Sequence, residues 1–379
     1  MQLKIKNFTQ IKYGKESKNL EYGYFPVYGS GGIIRQTNSF LYDRESVLIP
    51  RKGSLNNIFF SDVPFWVTDT MFYTIIDEEK VLPLFFYYAL KQIDFTILNS
   101  GTGVPSLTLN TLNNILINIP KREEQEKIST ELRKIDITIS LNNSIISKLE
   151  EMAKMIYEYW FLQFDFPNHE GKPYASSGGA MKYSKELGRE IPIDWDILNL
   201  WERFKFEKGI EIGAKQYLSE SRKNRVLFWR VGDMNGTCST YADKKLFGEL
   251  LLQPRDICVS FDGSVGKVDF GLVGGYSSGI RNIYDRLKKI DNSVIYQIFK
   301  SDYIQQLIHK YATGSNILHA SGSITNMRIP YNKKVFEEYQ KIIKPMFDKM
   351  LQAKQENQKL TQLRDWLLPM LMNGQARVE

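Results

Sequence analysis

Apolar positions fall along this chain in two different rhythms. Around Val47-Leu48-Ile49 and Ile257-Cys258-Val259 they form short continuous runs that end in glycine and serine, the pattern of a buried strand entering a turn. From residue 121 to 163 the rhythm changes. Ile128, Leu132, Ile135, Ile139, Ile146, Leu149, Ala153, Ile156 and Trp160 alternate three and four apart, with Asn142 filling the one gap. That spacing predicts a long helix with a heptad seam. It returns near the C-terminus as Ile343, Met346, Met350, Ala353, Leu360, Leu367 and Leu371, with Asn357 and Arg364 at the remaining seam positions. An offset of 211 residues lays one seam on the other, Leu132 on Ile343 and Trp160 on Leu371.

Two further echoes stand 210 residues apart: Val47–Ser54 resembles Ile257–Ser264, with Gly53 on Gly263, and Ile119-Pro120 matches Ile329-Pro330 just before each helix. Three echoes in one order make a tandem duplication the best account. Each copy predicts a globule of mixed α and β structure followed by one long helix. The boundaries fall at 1–120 and 121–163 for the first copy, and at 195–331 and 332–374 for the second. Residues 164–194 between them crowd Pro, Gly and Ser as a surface linker does. A strand near Trp195, after Ile191-Pro192, opens the second globule and has no counterpart in the shorter first copy. Pro345 should kink the second helix or mark its true start.

The fold class is therefore α+β, two tandem mixed globules with two long helices. Roughly 40 residues of helix make about 60 Å, too long to be covered by a globule of this size. The stripes should instead bury each other as an antiparallel coiled coil, which brings Leu132, Ile135, Ile139, Asn142, Ile146 and Leu149 to one side of the interface. The other side is Ile343, Met346, Met350, Asn357, Leu360 and Leu367. Asparagines on the seam suit a register-fixing role.

Composition narrows the function more than the fold. The 379 residues are 42% apolar and 25% charged, which excludes a disordered chain and fits several domains. The net charge of +7 fits a polyanionic partner without demanding one. Cys238 and Cys258 lie in no CxxC pair, which argues against a zinc site or a disulfide framework. His169, His309 and His319 have no metal-like spacing with carboxylates and read as surface or packed histidines. The opening MQLKIKNFTQ lacks an apolar signal core and no run of about 18 apolar residues occurs, so a cytoplasmic chain without a membrane partner is expected.

Catalytic constellations do not assemble. Glu78-Glu79-Lys80 has no upstream Asp suited to a nuclease, and Phe261 stands where a phosphate loop ending in Gly266-Lys267 needs glycine. Tyr28-Gly29-Ser30-Gly31-Gly32 lacks dinucleotide spacing, and the Asn/Asp-Pro-Pro-aromatic motif of base amino-methylation is missing. What the chain offers are loops for a polyanion. Arg51, Lys52, Gly53 and Ser54 in the first copy, and Gly263, Ser264, Gly266 and Lys267 in the second, combine approachable backbone amides with a cation. Ser100-Gly101-Thr102-Gly103 and Thr313-Gly314-Ser315-Asn316 form a second pair of small polar loops. Arg35 and Arg281, beside Gly32 and Gly279, suit bidentate contact with guanine edges.

With these features in view, Ile119-Pro120-Lys121-Arg122-Glu123-Glu124-Gln125-Glu126-Lys127-Ile128 resembles the helical opening in specificity subunits of type I restriction-modification systems. Leu363-Arg364-Asp365-Trp366-Leu367-Leu368-Pro369-Met370-Leu371-Met372-Asn373-Gly374 is similar to that family's closing helix, and Gly188-Arg189-Glu190-Ile191-Pro192 with Trp195 resembles its entry to a second recognition domain. The resemblance implies two target recognition domains, each reading half of a split double-stranded DNA target. It implies no catalysis and no cofactor on this chain. Two modification subunits would bind S-adenosylmethionine and methylate adenine, joined in the full complex by restriction subunits. One departure is that the second helix opens with Glu337-Glu338-Tyr339-Gln340 in place of Glu-Glu-Gln, which weakens the case there for the inter-subunit contact proposed at the first opening. The competing class is a duplicated coiled-coil adaptor that binds protein or glycan. A self-contained methyltransferase or nuclease would need S-adenosylmethionine or magnesium residues that the sequence does not offer.

Overall fold

A computed structural model describes residues 1–101, 103–315 and 318–376. The chain divides into two compact units, one of residues 1–139 together with the chain from Gln358 on, the other of residues 140–357.

In the first unit, β1 (Gln2–Lys4), β2 (Thr9–Tyr13), β3 (Phe25–Gly29), β4 (Gly32–Thr37), β5 (Ser46–Pro50), β6 (Phe59–Ser61), β7 (Trp66–Val67) and β8 (Met71–Ile76) precede α1 (Pro83–Lys91). Then come α2 (Leu109–Asn113), β9 (Leu116–Asn118) and the start of α3 (Arg122–Tyr157). The strands form a four-stranded sheet in the order β2-β8-β5-β6, a three-stranded sheet β4-β3-β7 and the pair β1-β9. Strand β5 is buried throughout, as its run of Val47, Leu48 and Ile49 demands.

After the second part of α3, the second unit has the hairpin β10 (Met181–Ser184) and β11 (Arg189–Pro192), followed by β12 (Asp196–Asn199), α4 (Leu200–Arg203), β13 (Phe204–Lys208), β14 (Arg225–Trp229) and β15 (Tyr241–Asp243). Next are β16 (Ile257–Ser260), β17 (Val268–Asp269), β18 (Gly275–Tyr276), β19 (Ile280–Asp285), α5 (Asn292–Lys300), α6 (Asp302–Lys310), β20 (Arg328–Tyr331) and α7 (Lys333–Met372). Its sheets are β13-β19-β16-β17, β15-β14-β18 and β12-β20. They repeat the first unit strand for strand, including the parallel pairs β3-β7 and β14-β18. The first copy does have an opening strand, contrary to the sequence reading: β1 pairs with β9 as β12 pairs with β20.

Within each unit the segments of α3 and α7 pack antiparallel. In the first unit Ile128 and Leu132 of α3 share a core with Leu367, Leu368 and Leu371 near the end of α7, and Arg364 binds Asp136 at 2.9 Å. Tyr88 donates to the other oxygen of Asp136 at 2.7 Å. In the second unit Tyr157 at the end of α3 meets Tyr339 at the start of α7, with ring centres 6.1 Å apart. Ile146, Leu149, Ala153, Ile343, Met346 and Met350 join the same cluster, while Ile135, Ile139 and Leu360 are half-buried. Asn142 Nδ2 donates to Asn357 Oδ1 at 3.0 Å, and Asn357 Nδ2 donates to Asn143 Oδ1 at 2.9 Å. Facing amides satisfy each other, so a polar layer sits in the seam without orphaned donors.

Two boundaries take definite positions. Helix α7 starts at Lys333, capped by Asn332, whose side chain accepts from the amides of Lys334 and Val335, and it continues through Pro345 to Met372. Pro345 lies on the exposed side, where water can satisfy the carbonyl that its ring cannot serve. The stretch 164–194 is folded into the second unit rather than left as a surface linker: Phe164, Phe166 and Ile191 are buried in its core. Asp165 holds it from within, accepting from the Ser176 amide at 2.7 Å and hydroxyl at 2.6 Å. Apolar side chains decide that packing, and the Pro, Gly and Ser only shape the turns between them.

Candidate nucleic-acid interface

The two sets of polar loops that the sequence offers are brought together in each unit. In the first, β5 runs into Arg51-Lys52-Gly53, and Lys52 forms an antiparallel bridge with Ser106. The Gly53 amide donates to Pro105 at 3.0 Å and Leu107 donates back to Arg51 at 2.9 Å. On its other side Ser106 O accepts from the Ser100 amide at 3.0 Å. Three segments are thus laced side by side. Gly53 has φ +91°, and a Cβ there would lie 2.9 Å from Ser30 Oγ. Only glycine lets the β3–β4 tip approach so closely.

The second unit builds the same clamp about 210 residues later. Asp262 forms an antiparallel bridge with His319, which in turn bridges Thr313. Gly263 donates to Leu318 at 2.8 Å, Ala320 to Phe261 at 2.7 Å, and Thr313 and His319 exchange amide bonds at 3.0 and 2.8 Å. Gly263 repeats the left-handed backbone with φ +76°. The match is residue for residue: Lys52 with Asp262, Gly53 with Gly263, Ser100 with Thr313, Ser106 with His319. In both clamps short-range backbone bonds fix the loops while side chains remain free to differ.

The candidate residues have different fates. Lys52, Ser54, Ser264 and Ser315 are exposed, and Gly263 lies within its clamp. Arg51 is engaged, its Nε donating to Asp69 O at 2.9 Å and its guanidinium lying 5.6 Å from the Tyr13 ring centre. Arg35, in β4 opposite Val27, is half-buried, and its Nη2 finds no hydrogen-bond partner among the described residues. Lys267 is not the free cation expected, because its Nζ donates to Val231 O at 3.0 Å and Met234 O at 3.4 Å. Arg281 is corrected from a groove-reading fork to an internal brace. It is 6% exposed, donates to Ser278 O and to Ser321 Oγ, and lies 3.7 Å from Asp262. Burial pulls its pKa below the usual arginine range, with Asp262 opposing the shift. Thr102 lies outside the described residues.

Sequence reasoning missed His319 and Ser106, which stand 213 residues apart, slightly off the offset of the other echoes. It also missed why the first helix opens with Gln. Gln125 is 1% exposed, accepts from the Leu82 amide at 2.9 Å and donates to Pro120 O at 3.1 Å and Lys80 O at 3.3 Å, so it anchors α1 on α3 rather than facing another subunit. Gln340 accepts from the Asp291 amide at 2.9 Å, at the matching start of α5. The second opening therefore keeps the glutamine despite its altered spacing. Among the described residues no group of His, Cys, Asp and Glu is placed to hold a metal ion, and no helix is long and apolar enough to cross a membrane.

Fold and clamps together define a chain of two tandem mixed α and β domains, each followed by a long helix. Residues 2–151 match the family model described as the type I restriction modification DNA specificity domain. The chain is 23% identical to the type I restriction enzyme MjaIX specificity subunit of Methanocaldococcus jannaschii, over 96% of this chain and 86% of that one. It is also 23% identical to the HindI specificity subunit of Haemophilus influenzae, over 83% and 82% of the two chains. A crystal structure of the type I restriction-modification S subunit from M. genitalium shares the fold, with a TM-score of 0.60 and 17% identity over 98% of this chain and 95% of that one. These findings bear out the resemblance to specificity subunits of type I restriction-modification systems.

Proposed function

We propose that this chain recognises a split DNA target for a type I restriction-modification complex, each clamp reading one half of the target in duplex DNA. The observation that carries this reading is the recurrence of one three-segment clamp with different side chains at its bridge, exposed Lys52 with half-buried Ser106 in one copy, half-buried Asp262 with exposed His319 in the other. A conserved frame with variable tips is what reading two different half-sites requires. The chain contributes recognition; S-adenosylmethionine binding and adenine methylation belong to two modification subunits, and cleavage to restriction subunits.

The helices suit two further roles. The 36 residues of α3 make about 54 Å and the 40 of α7 about 60 Å, somewhat under two turns of duplex at about 34 Å each. They would set an unread spacer. Outside the seam, Leu141, Ile145, Met152 and Met155 of α3 are exposed, an uncovered apolar stripe that suits docking of the modification subunits.

The test is selection from random duplex DNA by the chain assembled with its modification subunits. Two fixed blocks at one constant separation are expected. One contiguous block, or no enrichment, contradicts the reading. Inserting one heptad into both helices should lengthen the separation and leave both blocks unchanged; a changed block would sink the ruler role.

A further inference from the structure

His319 is exposed yet tightly held. Its backbone is bridged on one side by Thr313 and on the other by Asp262. Its Nδ1 lies 2.7 Å from Asp262 Oδ1, so the ring is fixed at both ends of the side chain while 60% of that side chain faces solvent. Asp262 is itself constrained, 21% exposed and beside the buried Arg281, which is anchored to Ser278 and Ser321. A surface ion pair contributes little to stability, typically below about 1 kcal/mol, so stability gives a weak reason for this chain of supports. Holding one side chain in a single pose is how recognition surfaces lower the entropy cost of contact.

Resting on the DNA-recognition reading above, we propose that His319 is a specificity-determining residue of the second domain, with Asp262 as its positioning residue, and that it reads an exocyclic amino group of adenine or cytosine in the major groove. With the carboxylate accepting from Nδ1–H, the ring in its neutral form presents Nε2 as an acceptor. Among bases in the major groove only adenine N6 and cytosine N4 offer donors to such an acceptor. Ser106 occupies the equivalent position in the first clamp with a short hydroxyl that both donates and accepts. The two domains therefore differ in chemistry at one homologous point, which is where their half-sites should differ.

The experiment is half-site-resolved DNA selection with the assembled complex, comparing the wild-type chain with His319→Ala, His319→Gln and Asp262→Ala, each checked for an unchanged melting profile and followed by a salt titration. For His319→Ala, discrimination at one base pair of the second half-site should fall by about 5- to 100-fold, with the first half-site and the salt dependence unchanged. His319→Gln, which keeps an acceptor, should restore part of that preference; Asp262→Ala should weaken it at the same base pair. Uniform weakening on all sequences with a shallower salt slope would make His319 a phosphate contact and overturn the proposal, as would an unaltered second half-site. If the wild-type complex selects no split motif, the DNA reading itself fails. If it does and His319→Ala changes nothing, only this inference fails.

Discussion

The two clamps are one backbone design carrying two kinds of chemistry. In the first, Lys52 is an exposed cation opposite a small Ser106; in the second, the same bridge joins Asp262 to His319, and the nearby cation Arg281 is buried as a brace. On the DNA-recognition reading proposed above, the first suits a backbone phosphate, which attracts any mobile cation, and the second a directional contact, which needs a fixed one. Duplication conserved the hydrogen bonds that set loop position and released the side chains that set meaning.

The largest expected effect probes what the second unit has beyond the first, an aromatic floor built from the segment before β12. Trp195 is 1% exposed and its ring centre lies 5.2–5.8 Å from those of Phe166, Phe164 and Phe161. Trp195→Ala should cost about 3–5 kcal/mol, read as an earlier denaturant transition of the second unit while the first unit's transition stays in place. Next comes the pair of helix anchors. Gln125→Ala should destabilise by about 1–3 kcal/mol, because it empties a buried site and strands the partly buried Leu82 amide, and Gln340→Ala should cost less at its half-buried site. A larger loss at Gln340 in chemical denaturation would break the equivalence of the two openings.

A smaller effect is the acid sensitivity that Asp285 gives the second unit. Burial alone would raise the Asp285 pKa, but the Arg203 hydrogen bond and the amides of Ile290, Lys289 and Leu287 outweigh it, so the carboxyl titrates below its ordinary range. A depressed folded-state pKa gives stability that is present above the unfolded value near 3.9 and lost as pH falls through the folded value. Unfolding curves below about pH 4 should therefore show a steeper loss for wild type than for Asp285→Asn. The smallest effects separate the two lysines. Lys52→Ala should weaken DNA binding on all sequences and lower the salt slope by about 0.9. Lys267→Ala should leave that slope unchanged and cost about 1 kcal/mol of stability, because its Nζ is held by Val231 and Met234 carbonyls.

Periodicity made the duplication, the helix pair and its asparagine layer legible, since a heptad seam is written in the side chains themselves. The loop motifs at Gly53 and Gly263 were legible for the same reason: a left-handed turn needs glycine. The clamps were not, because each joins segments more than 50 residues apart through backbone amides, which leave no mark on residue type. Without that pairing, His319 reads as an ordinary surface histidine and Arg281 as a free arginine. The opening strand β1 is only three residues long and carries no period of its own; its existence follows from β9 needing a partner.

The most direct test of the central claim is a methylation map of DNA from cells carrying this chain with its modification subunit, and each alone. The account predicts adenine methylation at one split motif only when both are present. Methylation at that motif by the modification subunit alone, or no motif when both proteins are folded and assembled, would contradict it.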